Sequence, residues 1–123
     1  MPLLFFFFME NKDNFLDYIP IKTIEWEFEK DNKEKVYIIK ERTKNKLLKK
    51  IIDALGRDQY FHIHLDEFGS YVWLLIDGKR NVGDIVLLMK EKFKDKIEPA
   101  EQRISYFIGM LKKNNFIGFA NGN

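Results

Sequence analysis

Ile24, Trp26 and Phe28 alternate strictly with Glu25, Glu27 and Glu29, a period of two that predicts a strand with one apolar face. Asp31, Asn32 and Lys33 form a polar turn, and Val36-Tyr37-Ile38-Ile39 supplies a β-branched second strand, so the stretch from Phe15 to Thr43 reads as a hairpin. The period then lengthens. Leu47, Leu48, Ile51, Ile52 and Leu55 recur at helical spacing with lysines between them, and Gly56 follows as a C-cap. From Tyr60 to Leu65 the alternation returns, with Phe61, Ile63 and Leu65 on one face and Tyr60, His62 and His64 on the other, which predicts a third strand.

Helices follow. Asp66 caps a short, mostly buried helix that ends at Asp77-Gly78. Asn81, with Asp84 in the first turn, caps a second helix running to about Lys94 through Ile85, Leu88 and Met89. Pro99 suits the first turn of a third, whose Ile104, Phe107, Ile108 and Leu111 lie at i, i+3, i+4 and i+7. It frays at Asn114-Asn115, and Phe116–Phe119 forms an apolar end that covers the core or acts as a wing. The order predicts an α+β domain: a three-stranded antiparallel sheet packed on a three-helix cluster, with an extra helix between strands 2 and 3. Its expected extent is 20–119, with a flexible segment over 1–19 and a disordered tail over 120–123.

Composition narrows the function. At 123 residues and 46% hydrophobic, the chain suits one modest core. Lys and Arg number 21 against 19 for Asp and Glu, interspersed, so the charge does not announce a nucleic-acid partner. The absence of cysteine excludes disulfides, thiolate metal sites and a cysteine nucleophile, and a reducing cytoplasm is the expected setting. Pro2–Met9 is apolar but far shorter than the roughly 20 residues of a membrane-spanning helix, and it lacks the flanks of a secretory signal. Initiation at Met9 is the reading preferred here, with a sticky tail as the alternative. No membrane partner is expected.

Leu65-Asp66, Val72-Trp73, Ile76-Asp77-Gly78, and then Val82, Asp84 and Ile85 together resemble the PqqD family of coenzyme PQQ biosynthesis and its wider group of precursor-peptide recognition elements. The resemblance runs from Tyr60 to Phe119 and more loosely over the hairpin, whereas about Thr43 to Gln59 departs from the compact pattern. It implies a winged helix-turn-helix scaffold without catalysis of its own. Such a scaffold captures the leader of a ribosomally made peptide as a strand added beside the third strand, and presents it to a modifying enzyme, often a radical SAM protein. A sheet edge offers unpaired N–H and C=O groups that an extended peptide can satisfy. The candidate peptide-binding residues are therefore Tyr60, Phe61, His62, Ile63, His64 and Leu65. At about 100° per residue, Arg103, Tyr106 and Met110 lie together on the shoulder of the third helix and join them as groove residues. Arg103 would meet an acidic leader side chain, Tyr106 an apolar anchor, and Met110 would adapt to its shape.

Other chemistry is weaker. His62 and His64 have a chelating i, i+2 spacing but no further ligand in sequence to complete a metal site, and no nucleophile or pocket to serve as bases. Trp73 reads as core rather than as a stacking platform. Gly69 and Gly83 fit no phosphate loop, so no cofactor is expected. The rival function is a winged-helix DNA-binding regulator, for which the lysines of residues 44–50 and 90–96 would contact phosphates. The third helix spends Phe107, Ile108 and Leu111 on the core and leaves few side chains to read bases. The apolar stripe of the extra helix is open to packing on its own sheet, to forming a homodimer, or to docking the partner enzyme. Only one of the His62 and His64 N–H groups is expected to point outward.

Overall fold

The computed structural model of the chain describes residues 12–121. They fall into two compact units, one spanning Ile24–Ser70 and the other made of the residues up to Thr23 with those from Tyr71 onward. In the second of these, a short helix, α1 (Lys12–Asp17), leads into a strand, β1 (Pro20–Lys22). This strand pairs antiparallel with the last strand of the chain through Pro20↔Phe119, Ile21↔Gly118 and Lys22↔Ile117.

The sequence reading treats 1–19 as a flexible segment, and from Lys12 the structure differs. The Val82 N–H donates to the Tyr18 carbonyl at 2.9 Å, and Phe15 meets Tyr18 and Phe119 edge-on with ring centroids 6.0 Å apart in both pairs. Aromatic burial of this kind outweighs the weak helical preference of so short a segment. The expected disordered tail is likewise held in part: the Ala120 N–H donates to the Ile19 carbonyl at 2.8 Å, and Asn121 bridges the Ile19 N–H and the Asp17 carbonyl. Residues 1–11, with the apolar stretch Pro2–Met9, and residues 122–123 lie outside the described residues.

The unit of residues 24–70 holds three antiparallel strands, β2 (Trp26–Phe28), β3 (Val36–Glu41) and β4 (Tyr60–His64), in the order β2-β3-β4. At the β2–β3 turn, Asn32 accepts the Glu34 N–H on its side chain and the Lys35 N–H on its carbonyl, the local bonding that favours Asn in turns. Register places Trp26, Phe28, Val36, Ile38 and Ile63 on one face, where Val36 and Ile38 are fully buried. Between β3 and β4 stands α2 (Lys46–Ala54). The Asn45 side chain caps it by accepting the Leu47 and Leu48 N–H groups, and Gly56, at φ +70°, takes the left-handed turn beyond its end.

Helix α3 (Glu67–Leu75) has its first turn in this unit and the remainder in the other. Asp66 caps it as expected, accepting the Gly69 N–H at 2.7 Å. The other unit continues with α4 (Val82–Phe93), a 3₁₀ turn (Lys94–Ile97), α5 (Ala100–Lys113) and the final strand, β5 (Ile117–Phe119). Asn81 and Asp84 close a reciprocal capping box, each accepting the other's N–H at 2.7 and 3.0 Å. Trp73, Ile85, Met89, Ile97 and Ile108 are buried almost completely, so Trp73 is core as read. The fold class is α+β, with two small antiparallel sheets and several helices.

Candidate functional site

Antiparallel pairing alternates residues that exchange hydrogen bonds with the neighbouring strand and residues whose main-chain groups point away from it. In the β3–β4 ladder the Leu65 N–H donates to the Val36 carbonyl and the Arg42 N–H to the Gln59 carbonyl. With the register Ile38↔Ile63 and Lys40↔Phe61, the main chain of Gln59, Phe61, Ile63 and Leu65 is therefore turned toward β3. The main chain of Tyr60, His62 and His64 is turned outward. Ile39, opposite His62, sends its N–H to the Glu25 carbonyl at 2.9 Å, as the same alternation requires. His62 and His64 thus both present an outward N–H, which corrects the expectation of one: residues two apart on a strand share the same orientation.

β4 ends the sheet, and no strand among the described residues pairs with this edge. One outward donor is already used, because the Asp58 carboxylate accepts the Tyr60 N–H at 3.0 Å. What β4 offers an extended chain is two N–H groups, from His62 and His64, and the carbonyls of Tyr60, His62 and His64.

The side chains divide by face. Tyr37 lies across the ladder from His64, and its ring packs against both imidazoles, with centroids 4.9 Å from His62 and 5.2 Å from His64. His64 Nδ1 also hydrogen-bonds Glu29 Oε2 at 2.5 Å. This face is a packed aromatic row, and no cluster of three or more metal-ligating side chains occurs among the described residues. On the opposite face Ile63 and Leu65 are half-buried, while Phe61 is exposed with the Arg42 guanidinium 4.4 Å above its ring.

The far end of the edge is stitched by a residue that sequence reasoning missed. The buried Ser70 hydroxyl accepts the Val36 N–H at 3.0 Å and donates to the Leu65 carbonyl at 3.2 Å. It bridges the two groups that would otherwise close the last ladder pair. A lone serine in a helix carries no sequence signal for this role. Asp58 does carry one, since an Asp two residues ahead of a strand start is ordinary turn chemistry.

Arg103, Tyr106 and Met110 belong to the other unit, on the exposed shoulder of α5 beside its buried Ile104, Ile108 and Leu111. Tyr106 is 72% exposed and Met110 is exposed beside it. Arg103 donates through Nη1 to the Lys96 carbonyl at 3.0 Å, which orients its guanidinium along the chain. Elsewhere in this unit, burial lowers the Lys22 ammonium from its ordinary value against the opposing pull of Asp77. Asp77 is itself held low by the N–H groups of Arg80 and Lys79, which its carboxylate accepts at 2.8 and 2.9 Å.

The family model for coenzyme PQQ synthesis protein D (PqqD) matches residues 49–117. The matched span begins inside α2, so it takes in part of the segment that the sequence reading set apart. No curated protein matches the chain, and no solved structure does.

Proposed function

Since the chain belongs to the PqqD family, we propose that it is a non-catalytic accessory protein of coenzyme PQQ-type biosynthesis. In this reading it captures the leader of a ribosomally made precursor peptide as a strand along β4 and delivers it to a modifying enzyme of the radical SAM type. The observation that carries this reading is the outward-facing main chain of Tyr60, His62 and His64 on an edge without a partner strand. An extended peptide satisfies these groups directly. Holding the leader there raises its effective concentration at the enzyme. A winged-helix type of scaffold is part of the proposal.

Magnitudes limit what the edge does alone. Five main-chain bonds at about 1 kcal/mol net each amount to about 5 kcal/mol, a dissociation constant of roughly 0.2 mM. Micromolar capture needs about 8 kcal/mol, so side-chain anchors must supply the remainder. Tyr60 and Phe61, both exposed, are the nearest candidates on β4. Tyr106 and Met110, exposed on α5, are further candidates whose share is read from Tyr106→Ala, while Arg103 has its guanidinium already engaged.

The test is calorimetric titration of the protein with the synthetic leader of a short precursor-like reading frame encoded beside its gene, at two salt concentrations. Saturable binding with weak salt dependence supports capture by strand addition. No binding to the leader, with duplex DNA bound and released steeply by salt, supports the regulator instead. No feature of α5 favours that second reading, because its inner face is buried and Arg103 is tied to Lys96.

A further inference from the structure

Helix α2 buries none of its nine residues, although four of them, Leu47, Leu48, Ile51 and Ile52, are large and apolar. Leu47 is 67% exposed, Leu48 and Ile51 each 46%, and Leu55, just past the helix end, 69%. At about 100° per residue these four and Ile52 share one continuous arc, while Lys46, Lys49, Lys50 and Asp53 occupy the opposite side. From Lys44 to Arg57 there are five cations, Lys44, Lys46, Lys49, Lys50 and Arg57, against one carboxylate, Asp53. Lys49 also reaches Glu41 at 3.3 Å. Local charge is thus concentrated well above the +2 of the whole chain.

We infer that α2 is a membrane-surface anchor, lying in the plane of an anionic bilayer with Leu47, Leu48, Ile51 and Leu55 in the headgroup–acyl boundary and its lysines on the phosphates. A strongly two-sided helix with low net hydrophobicity and a lysine-rich polar face is the form that lies in the interface. Nine residues cannot cross a bilayer, and no described helix is long and apolar enough to do so. The Asn45 cap and the Gly56 turn hold the helix formed before it docks.

The lysines of α2 complement an anionic surface, and size selects this occupant over a second copy. A helix of nine residues is only about 14 Å long, too small a patch for the roughly 800 Å² per partner of a stable protein interface. A bilayer imposes no such minimum, and each lysine near anionic headgroups strengthens binding about fivefold. The inference departs from the sequence expectation that there is no membrane partner. The inference is independent of peptide capture.

The test is cosedimentation of the full chain with vesicles of phosphatidylcholine alone and of phosphatidylcholine mixed with phosphatidylglycerol. Partition onto the mixed vesicles is expected to exceed that onto the neutral ones at least tenfold and to fall with added salt. The pair Leu48→Asp with Ile51→Asp, both at exposed positions, should reduce it at least tenfold. The pair Lys46→Glu with Lys50→Glu, on the polar face and neutral for folding, should abolish the preference for anionic lipid. Leu87→Asp changes an exposed leucine (66%) on α4 and should leave partition unchanged. Absence of partition onto the anionic vesicles overturns the inference. So does partition that is unaltered by both α2 pairs, or equally weakened by Leu87→Asp.

Discussion

Replacing His62 by proline removes one outward N–H and leaves the β3–β4 ladder whole, because the ladder bonds of β4 come from Phe61, Ile63 and Leu65. Proline is tolerated on the outer side of an edge strand for this reason. The substitution also deletes the imidazole that packs 4.9 Å from the Tyr37 ring, so His62→Ala is the reference: it loses the same ring contact and keeps the N–H. A neutral hydrogen bond contributes about 0.5–1.5 kcal/mol net. His62→Pro should therefore bind the leader about two- to twelvefold more weakly than His62→Ala, with thermal unfolding of the two free proteins within a few degrees. Isothermal titration calorimetry of wild type and both variants reads this directly. Equal affinities for the proline and alanine variants, with folding intact, would refute strand addition at this position. A loss in His62→Ala as large as in His62→Pro would assign the effect to the side chain.

Further outcomes follow from the same geometry. Ser70→Ala leaves the buried Val36 N–H without its acceptor and should destabilise the fold by about 1–3 kcal/mol, read by chemical denaturation. Asn81→Ala opens the capping box on α4 and should cost about 1 kcal/mol, whereas Asn81→Ser should recover most of it. Asp77 titrates below its ordinary 3.8, chiefly because it accepts the Arg80 and Lys79 N–H groups. Its stabilisation is present above that value and lost as pH falls through the lower folded-state value. Asp77→Asn keeps an acceptor but not the charge, so the gap in melting temperature between the two proteins should be widest above pH 3.8 and close in stronger acid.

The elements that announce themselves in sequence are those set by local pattern. The alternation at 60–65, the central part of that at 24–29 (Trp26–Phe28), the caps at Asn81 and Asp66 and the stripe of α5 appear where the periods put them, because burial of one face fixes period and register together. What stays hidden is non-local. Three-residue β1 has no period of its own and exists by pairing with β5 at the other end of the chain. Helix α1 is held by aromatic rings from Tyr18 and Phe119, and Ser70 matters only because the fold carries it to Val36 and Leu65. The candidate edge was half legible. Sequence shows which side chains of β4 share a face, but the direction of its main-chain groups depends on the pairing with β3, which separates Tyr60, His62 and His64 from Phe61, Ile63 and Leu65. Arg103 is another such case, since its bond to the Lys96 carbonyl depends on the turn before α5.

The most direct measurement is amide hydrogen exchange at single-residue resolution, with and without saturating leader peptide. Strand addition along β4 requires the His62 and His64 amides to exchange readily in the free protein and to become protected on binding, while those of Ile63 and Leu65, turned toward β3, are protected throughout. A leader that saturates the protein and leaves the His62 and His64 amides exchanging at their free rates would contradict it.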